Sequence, residues 1–495
     1  MTFSRASGIL VHPTSFPGRY GIGDLGAGAR QVVDFLADSK QKLWQVLPLG
    51  PTGYADSPYA SFSAFAGNHL LLAPERLAEQ GWLDARELAR SADWPEGSVE
   101  YGLVSDVKLE LLRRAHERFR RGAAAPQLAA LDAFCQANRA WLDDYALFLA
   151  LKAANQGAPW TSWDAALVAR RPEALSAARA ALAGEVRLHE FLQWVFFEQW
   201  AALRAYARER DVRVVGDVAI FVAHDSADVW AHPDLFTLDE KGLPTMVAGV
   251  PPDYFSRTGQ RWGNPLYRWD VLAESGYAWW IDRVRAALTI SDYLRLDHFR
   301  GFYAYWEVPS AAKTAVDGRW VRGPGASLFQ AISQALGDVP IIAEDLGKIT
   351  PPVRRLRESL GFPGMRVLQF AFGSDPRNKH LPHWYTHDTV VYTGTHDNDT
   401  ACGWFQTRGP RERAFALRYV GSDGREFNWD LIRLALASVA DTAIVPLQDV
   451  LGLGSDARMN TPGRVSGNWV WRCRSEQLSA EVATRLAGLT TTYGR

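Results

Sequence analysis

Three short apolar runs each stop at a carboxylate. Tyr293-Leu294-Arg295-Leu296 leads to Asp297, Val339-Pro340-Ile341-Ile342-Ala343 leads to Glu344, and Thr389–Thr395 leads through His396 to Asp397. Such runs read as strands buried in a parallel sheet, and the carboxyl ends of those strands are where α/β folds keep their chemistry. Several acids converging there, with no cluster of cations, suit acid/base and nucleophilic work on a neutral substrate such as a sugar. Arg295 and Asp297 alternate with Leu296 and so share one side of a strand. They read either as a buried ion pair or as a nucleophile held ionised by its neighbour, because an adjacent cation lowers a carboxylate pKa. In Ala343-Glu344-Asp345 one acid must face away from the other. Glu344 is either structural or a general acid whose pKa is raised by a second carboxylate in an occluded site, and Asp345 reads as a helix cap.

Other motifs are weaker. His396 and Asp397 could ligate a metal, but barrel metallohydrolases carry an HxH pair on an early strand, and Ile9-Leu10-Val11-His12-Pro13 offers one His. Gly21-Ile22-Gly23-Asp24-Leu25-Gly26 matches a dinucleotide fingerprint in letters only. His12–Tyr20 separates it from the preceding strand, and the next strand ends in Pro48-Leu49-Gly50 without an acid. A turn into a helix, with Asp24 as N-cap, is the plainer reading. Tyr54, Tyr59, Tyr254, Phe255 and Trp262 lie among Gly and Pro in loop-like stretches, off any helical stripe, which favours binding over core packing.

The elements that must position these groups follow from hydrophobic period. Eight strands are predicted, at Gly8–Val11, Leu43–Leu49, Val212–Val218, Asp292–Phe299, Val339–Asp345, Met365–Phe372, Thr389–Thr395 and Thr442–Gln448. Helical patterns such as 26–40 and 188–208 separate most of them. That alternation predicts an α/β fold, a (β/α)8 TIM barrel spanning 1–495 as a single catalytic unit. Residues 51–210 read as a mainly helical subdomain inserted after strand 2, and 224–290 as a lid or loop insertion after strand 3. The 45 residues from Leu451 to Arg495 are too few for an appended β-sandwich.

Composition narrows the partners. Lys plus Arg number 54 and Asp plus Glu 55, a net charge of -1, which gives no electrostatic case for nucleic acid. No run approaches a membrane span, and the N-terminus lacks a signal-peptide pattern. Three scattered cysteines, Cys135, Cys402 and Cys473, make no disulfide framework, so a cytoplasmic setting is expected.

These segments together resemble the amylomaltase family of 4-α-glucanotransferases, relatives of the α-amylase barrels. The resemblance runs nearly end to end. It rests on His12–Gly18, Gly21–Gly26, Gly53–Tyr59, Gly216–Val222, Gly249–Pro265, Arg295–Gly301, Ala343–Gly347, Thr395–Asn398, Asn460–Pro462 and Gly467–Arg472. It implies Asp297 as nucleophile, Glu344 as general acid/base and Asp397 as transition-state stabiliser, with no metal and no cofactor. It implies substrate contacts at Tyr59, Asp217, Gln260, Trp262, Arg295, His298, His396 and Asn468, and a second glucan site at Tyr54 and Tyr101. The expected reaction transfers α-1,4-glucan segments between maltooligosaccharides by retaining double displacement, with the carboxyls of Asp297 and Glu344 about 5–5.5 Å apart. The expected partners are α-1,4-glucans, with the chain a monomer or homodimer. An α-amylase-type hydrolase, and more remotely a non-catalytic carbohydrate-binding barrel, are the alternatives.

Overall fold

The computed structural model describes residues 4–89, 94–95, 97–252 and 256–495. Its centre is a closed barrel of eight parallel strands: β1 (Ala6–Leu10), β2 (Leu43–Gln45), β3 (Arg213–Val218), β6 (Tyr293–Leu296), β9 (Ile341–Ala343), β10 (Gly364–Val367), β11 (Thr389–Tyr392) and β12 (Thr442–Pro446). Each overlaps one of the eight predicted runs. Their neighbours in the barrel run β1, β12, β11, β10, β9, β6, β3, β2, the (β/α)8 architecture. All residues of β1, β2, β9, β11 and β12 are buried, because helices cover the outside and side chains fill the inside.

Alternation within the strands sorts two layers. Leu43, Val215, Ile342, Met365, Val367, Val390, Tyr392 and Ile444 form one cluster inside the barrel. Trp44, Val214, Val391, Ala443 and Val445 join the outer cluster under the helices Ala27–Asp38 and Ala183–Glu209. Leu294 and Leu296 also point outward, into a second outer cluster. The intervening Arg295 therefore points inward, as its alternation predicted.

The stretch 51–210 carries the long helices Tyr101–Gly122, Ala125–Ala154 and Ala183–Glu209. The expected Asp24 cap is not formed. Gly26 occupies the N-cap position of helix Ala27–Asp38 without a side-chain hydrogen bond. Asp24 is instead buried, accepting from the Gly26 amide at 3.0 Å and facing Lys108 at 3.4 Å.

A second sheet escaped the sequence reading. β4 (Met246–Val250), β5 (Gln260–Pro265), β7 (Ala304–Pro309) and β8 (Arg319–Arg322) pair antiparallel in the order β5, β4, β7, β8. β5 reads Gln-Arg-Trp-Gly-Asn-Pro, with no apolar alternation, and its register against β4 shifts between Val247 and Gly249. Its pairing partner β4 pairs in turn with β7, which lies beyond β6 in sequence. Local period carries no trace of such an arrangement. Among the described residues no helix is long and apolar enough to cross a membrane.

Candidate active site

The site grows from the carboxyl ends of β3, β6, β9 and β11. β6 ends at Leu296, and the Asp297 amide still donates to Val218 O on β3 at 3.0 Å. From the barrel interior, Arg295 donates to both carboxylate oxygens of Asp217 at 2.8 Å and to Asp297 Oδ1 at 2.9 Å. The Arg295 side chain is 4% exposed and that of Asp217 is fully buried, whereas 29% of the Asp297 side chain faces the cleft. The ion-pair and nucleophile readings of Arg295 and Asp297 are thus compatible. One guanidinium is anchored by a buried acid and presents its remaining edge to a partly open one. The Tyr59 hydroxyl donates to Asp217 Oδ2 at 2.6 Å. Burial, then the Asp217 charge, raises the Tyr59 pKa well above its ordinary value, so the phenol keeps its proton.

Glu344 follows β9 directly. Its Oε2 accepts from the His298 amide at 2.8 Å and its Oε1 from the Leu346 amide at 2.6 Å. The first bond ties it to the residue beside Asp297. Burial and the Asp297 charge push its pKa up to about 7, against Arg295 and the two amides. Asp345 does face away, as strand alternation requires. It accepts from the Met365 amide at 2.7 Å and meets Arg357 and Arg366 at 3.5 Å, joining β9 to β10 rather than capping a helix.

His298 has φ +49°, a left-handed backbone that non-glycine residues adopt at a cost. The tight turn lets its amide reach Glu344 while its ring packs edge-on to Trp262, centroids 4.9 Å apart. Gly301 accommodates it, since a Cβ there would stand 2.7 Å from Ile220 Cδ1 and 3.0 Å from His298 Cδ2. Burial pushes His298 down to about 4, so the ring is neutral near pH 7, and its Nε2 has no protein partner.

Asp397 lies in the segment that follows β11. His396 Nε2 lies 3.5 Å from its Oδ1, and Tyr59 stacks on His396 with centroids 5.2 Å apart. Asn460 Nδ2 donates to Asp397 Oδ1 at 2.6 Å and Arg458 to Asp397 O at 2.6 Å. Trp469 packs against both Tyr59 and His396, each at 6.0 Å. Asn460, Arg458 and Trp469 were not among the expected site residues, although Asn460 and Trp469 lie in segments that carry the family resemblance.

Among the remaining candidates, Gln260 Oε1 accepts from Trp262 Nε1 at 3.2 Å on exposed β5. The amide of Asn468 is spent within its own loop, accepting from the Thr461 amide and donating to Arg464 O, both at 2.9 Å. Tyr54 is 74% exposed, whereas Tyr101 is enclosed, its hydroxyl on Trp469 O at 3.0 Å. Tyr254 and Phe255 lie outside the described residues. Among the described residues no three His, Cys, Asp or Glu side chains are grouped to hold a metal ion.

What the arrangement offers is a partly open carboxylate held by a guanidinium, a second carboxyl poised to carry a proton, and a third acid in the segment after β11. The profile of glycoside hydrolase family 77, described as 4-alpha-glucanotransferase, matches residues 11–478. A 4-alpha-glucanotransferase of Thermus thermophilus is 53% identical over 99% of both chains. One from Synechocystis sp. is 51% identical over the whole of this chain and 99% of its own. The solved structure described as amylomaltase from Streptococcus agalactiae in complex with acarbose superposes with a TM-score of 0.96 at 40% identity, covering 99% of each chain.

Proposed function

The chain belongs to the family 77 4-alpha-glucanotransferases, and from that premise we propose how its own residues perform the transfer. Asp297 attacks the anomeric carbon of an α-1,4-linked glucosyl unit as Glu344 gives its proton to the departing glycosidic oxygen. The bond between that carbon and the glycosidic oxygen breaks, a glucosyl ester forms on Asp297, and the shortened chain leaves with a free 4-hydroxyl. Glu344, now a carboxylate, takes the proton of an acceptor 4-hydroxyl, whose oxygen attacks the same carbon and returns Asp297. Two inversions give net retention.

Arg295 keeps Asp297 oriented and electron-rich without neutralising it, because Asp217 shares the guanidinium. Tyr59, His396 and Asp397 face the sugar at the bond being cleaved. His298 helps position Asp297 and the donor sugar, and the exposed ring of Trp262, edge-on to it, offers a flat face to the glucan. The inserted stretches 51–210 and 224–290 wall this cleft, and exposed Tyr54 offers a further glucan contact, in which the enclosed Tyr101 takes no direct part. Three unpaired thiols suit a cytoplasmic setting.

The observation that carries the residue assignment is the Asp217–Arg295–Asp297 chain beside a Glu344 held near neutrality. The test is incubation with maltotriose and chromatography of the products. Glucose plus a ladder of longer oligomers, without new reducing ends, is expected. Shorter sugars alone, with rising reducing ends, would make the enzyme a hydrolase. Asp297→Asn should leave the fold intact and lower turnover by about 10⁴-fold or more, and normal turnover in that variant would refute the nucleophile assignment.

A further inference from the structure

Apart from the acids, the connection between β10 and β11 holds an exposed ring that is fixed in place. Trp384 is 55% exposed. Its Nε1–H donates to Pro376 O at 2.8 Å. His383 Nε2 meets the same carbonyl at 3.0 Å, and its Nδ1 meets the Tyr419 hydroxyl at 2.9 Å. The Trp384 and His383 centroids are 5.5 Å apart, those of His383 and Tyr419 are 5.8 Å apart, and Tyr419 packs on buried Phe372 at 6.1 Å. The indole is therefore pinned at its edge to the backbone and braced through two rings to the core, with its surface left to water.

An indole in water forgoes the burial of its apolar face, a gain open to any apolar surface that covers it. A ring that is both exposed and immobile loses little conformational freedom when something covers it. The residues flanking Pro376 set the chemistry of that cover. Asp375 and Arg377 are exposed and paired at 2.8 Å, so the rim offers hydroxyl-binding groups of both kinds and no net charge.

We propose that Trp384 is an auxiliary binding platform for α-1,4-glucan, the apolar face of a glucosyl unit stacking on the indole while Asp375 and Arg377 meet its hydroxyls. This rests on the glucan-transferring function, and it adds a contact that the cleft does not need for short substrates. Long chains or particulate glucan then hold the enzyme at two places.

The experiment compares wild type, Trp384→Ala and Trp384→Phe in turnover of maltotriose, turnover of long amylose, and adsorption to insoluble amylose. Trp384→Ala is expected to raise the amylose KM by about 2- to 10-fold and to weaken adsorption by a similar factor. Its kcat and its maltotriose kinetics should not change, and Trp384→Phe should keep most of the binding. Unchanged adsorption and amylose KM would overturn the platform. So would equal losses on both substrates, which would mark Trp384 as structural. A shift from dimer to monomer by light scattering in Trp384→Ala, with adsorption intact, would overturn it in favour of a contact between copies. Failure of the wild type to redistribute maltotriose would refute the transferase reading instead, and the adsorption comparison would still judge the ring.

Discussion

Glu344 sits between opposed influences, and its protonation is the most exposed point of the mechanism. Burial and the neighbouring Asp297 charge raise it to about 7, while Arg295 and two backbone amides pull the other way. A group that must first give and then take a proton works best with a pKa near the operating pH. The kcat/KM for maltotriose should therefore fall about tenfold per pH unit above about 7, and a flat profile to pH 9 would assign the acid elsewhere. Glu344→Gln should lower kcat by about 10²–10⁴-fold. The same shift acts on stability. The folded pKa lies above the unfolded value near 4.5, so the native state keeps a proton that the unfolded chain has shed. Stability from this group is greatest below about pH 4.5 and declines until about pH 7, a loss on the order of 2 kcal/mol given that the cleft is partly open. Denaturant melts of Glu344→Gln should show that part of the pH dependence flattened.

At the scale of elements, a buried ion pair fixes the helix Tyr101–Gly122 to the turn after β1. The Lys108 side chain is fully buried, with Nζ on Leu70 O at 2.7 Å and 3.4 Å from Asp24. Burial raises the Asp24 pKa and Lys108 is the largest influence opposing it. Lys108→Met should cost about 3 kcal/mol by leaving a carboxylate buried without its cation. That cost should be smaller at pH 5 than at pH 8, because Asp24 escapes it by staying protonated. Chemical denaturation at both pH values checks this, with Asp24→Asn/Lys108→Met expected to recover much of the loss. The pair also shows where sequence reasoning stops. The eight barrel strands were legible because a strand buried on both faces reads as a nearly continuous apolar run, and the acids were legible because they end those runs. Asp24 was misread as a cap because its true partner lies 84 residues away. The second sheet was missed because β5 has no apolar period and its neighbours are non-local. Asn460 and Trp469 were missed as site residues because they stand in an irregular segment after β12, where only the fold decides which side chains turn toward Asp397.

For the whole molecule the decisive act is closure of the barrel, in which β1 pairs with β12 from Ala6↔Thr442 to Leu10↔Pro446. Two arginines clasp that seam at the end away from the acids. Arg5 donates to the carbonyls of Leu436, Ser438, Ala440 and Tyr493. Arg495 donates to those of Ala6, Ala435, Leu436, Ser438 and Asp441. In a (β/α)8 barrel the carboxyl ends of the strands carry chemistry and the amino ends carry stability. The two faces should therefore be separable by mutation. Arg495→Ala removes a set of bonds each worth about 1 kcal/mol net, partly replaced by water, for an expected loss of about 2–3 kcal/mol. Its thermal inactivation at a fixed elevated temperature should be markedly faster than that of wild type, while maltotriose turnover at 25 °C stays within about twofold. Inactivation as slow as wild type would show that strand pairing alone closes the barrel. A large loss of kcat at 25 °C would show that the seam is mechanically coupled to the acids at the other end.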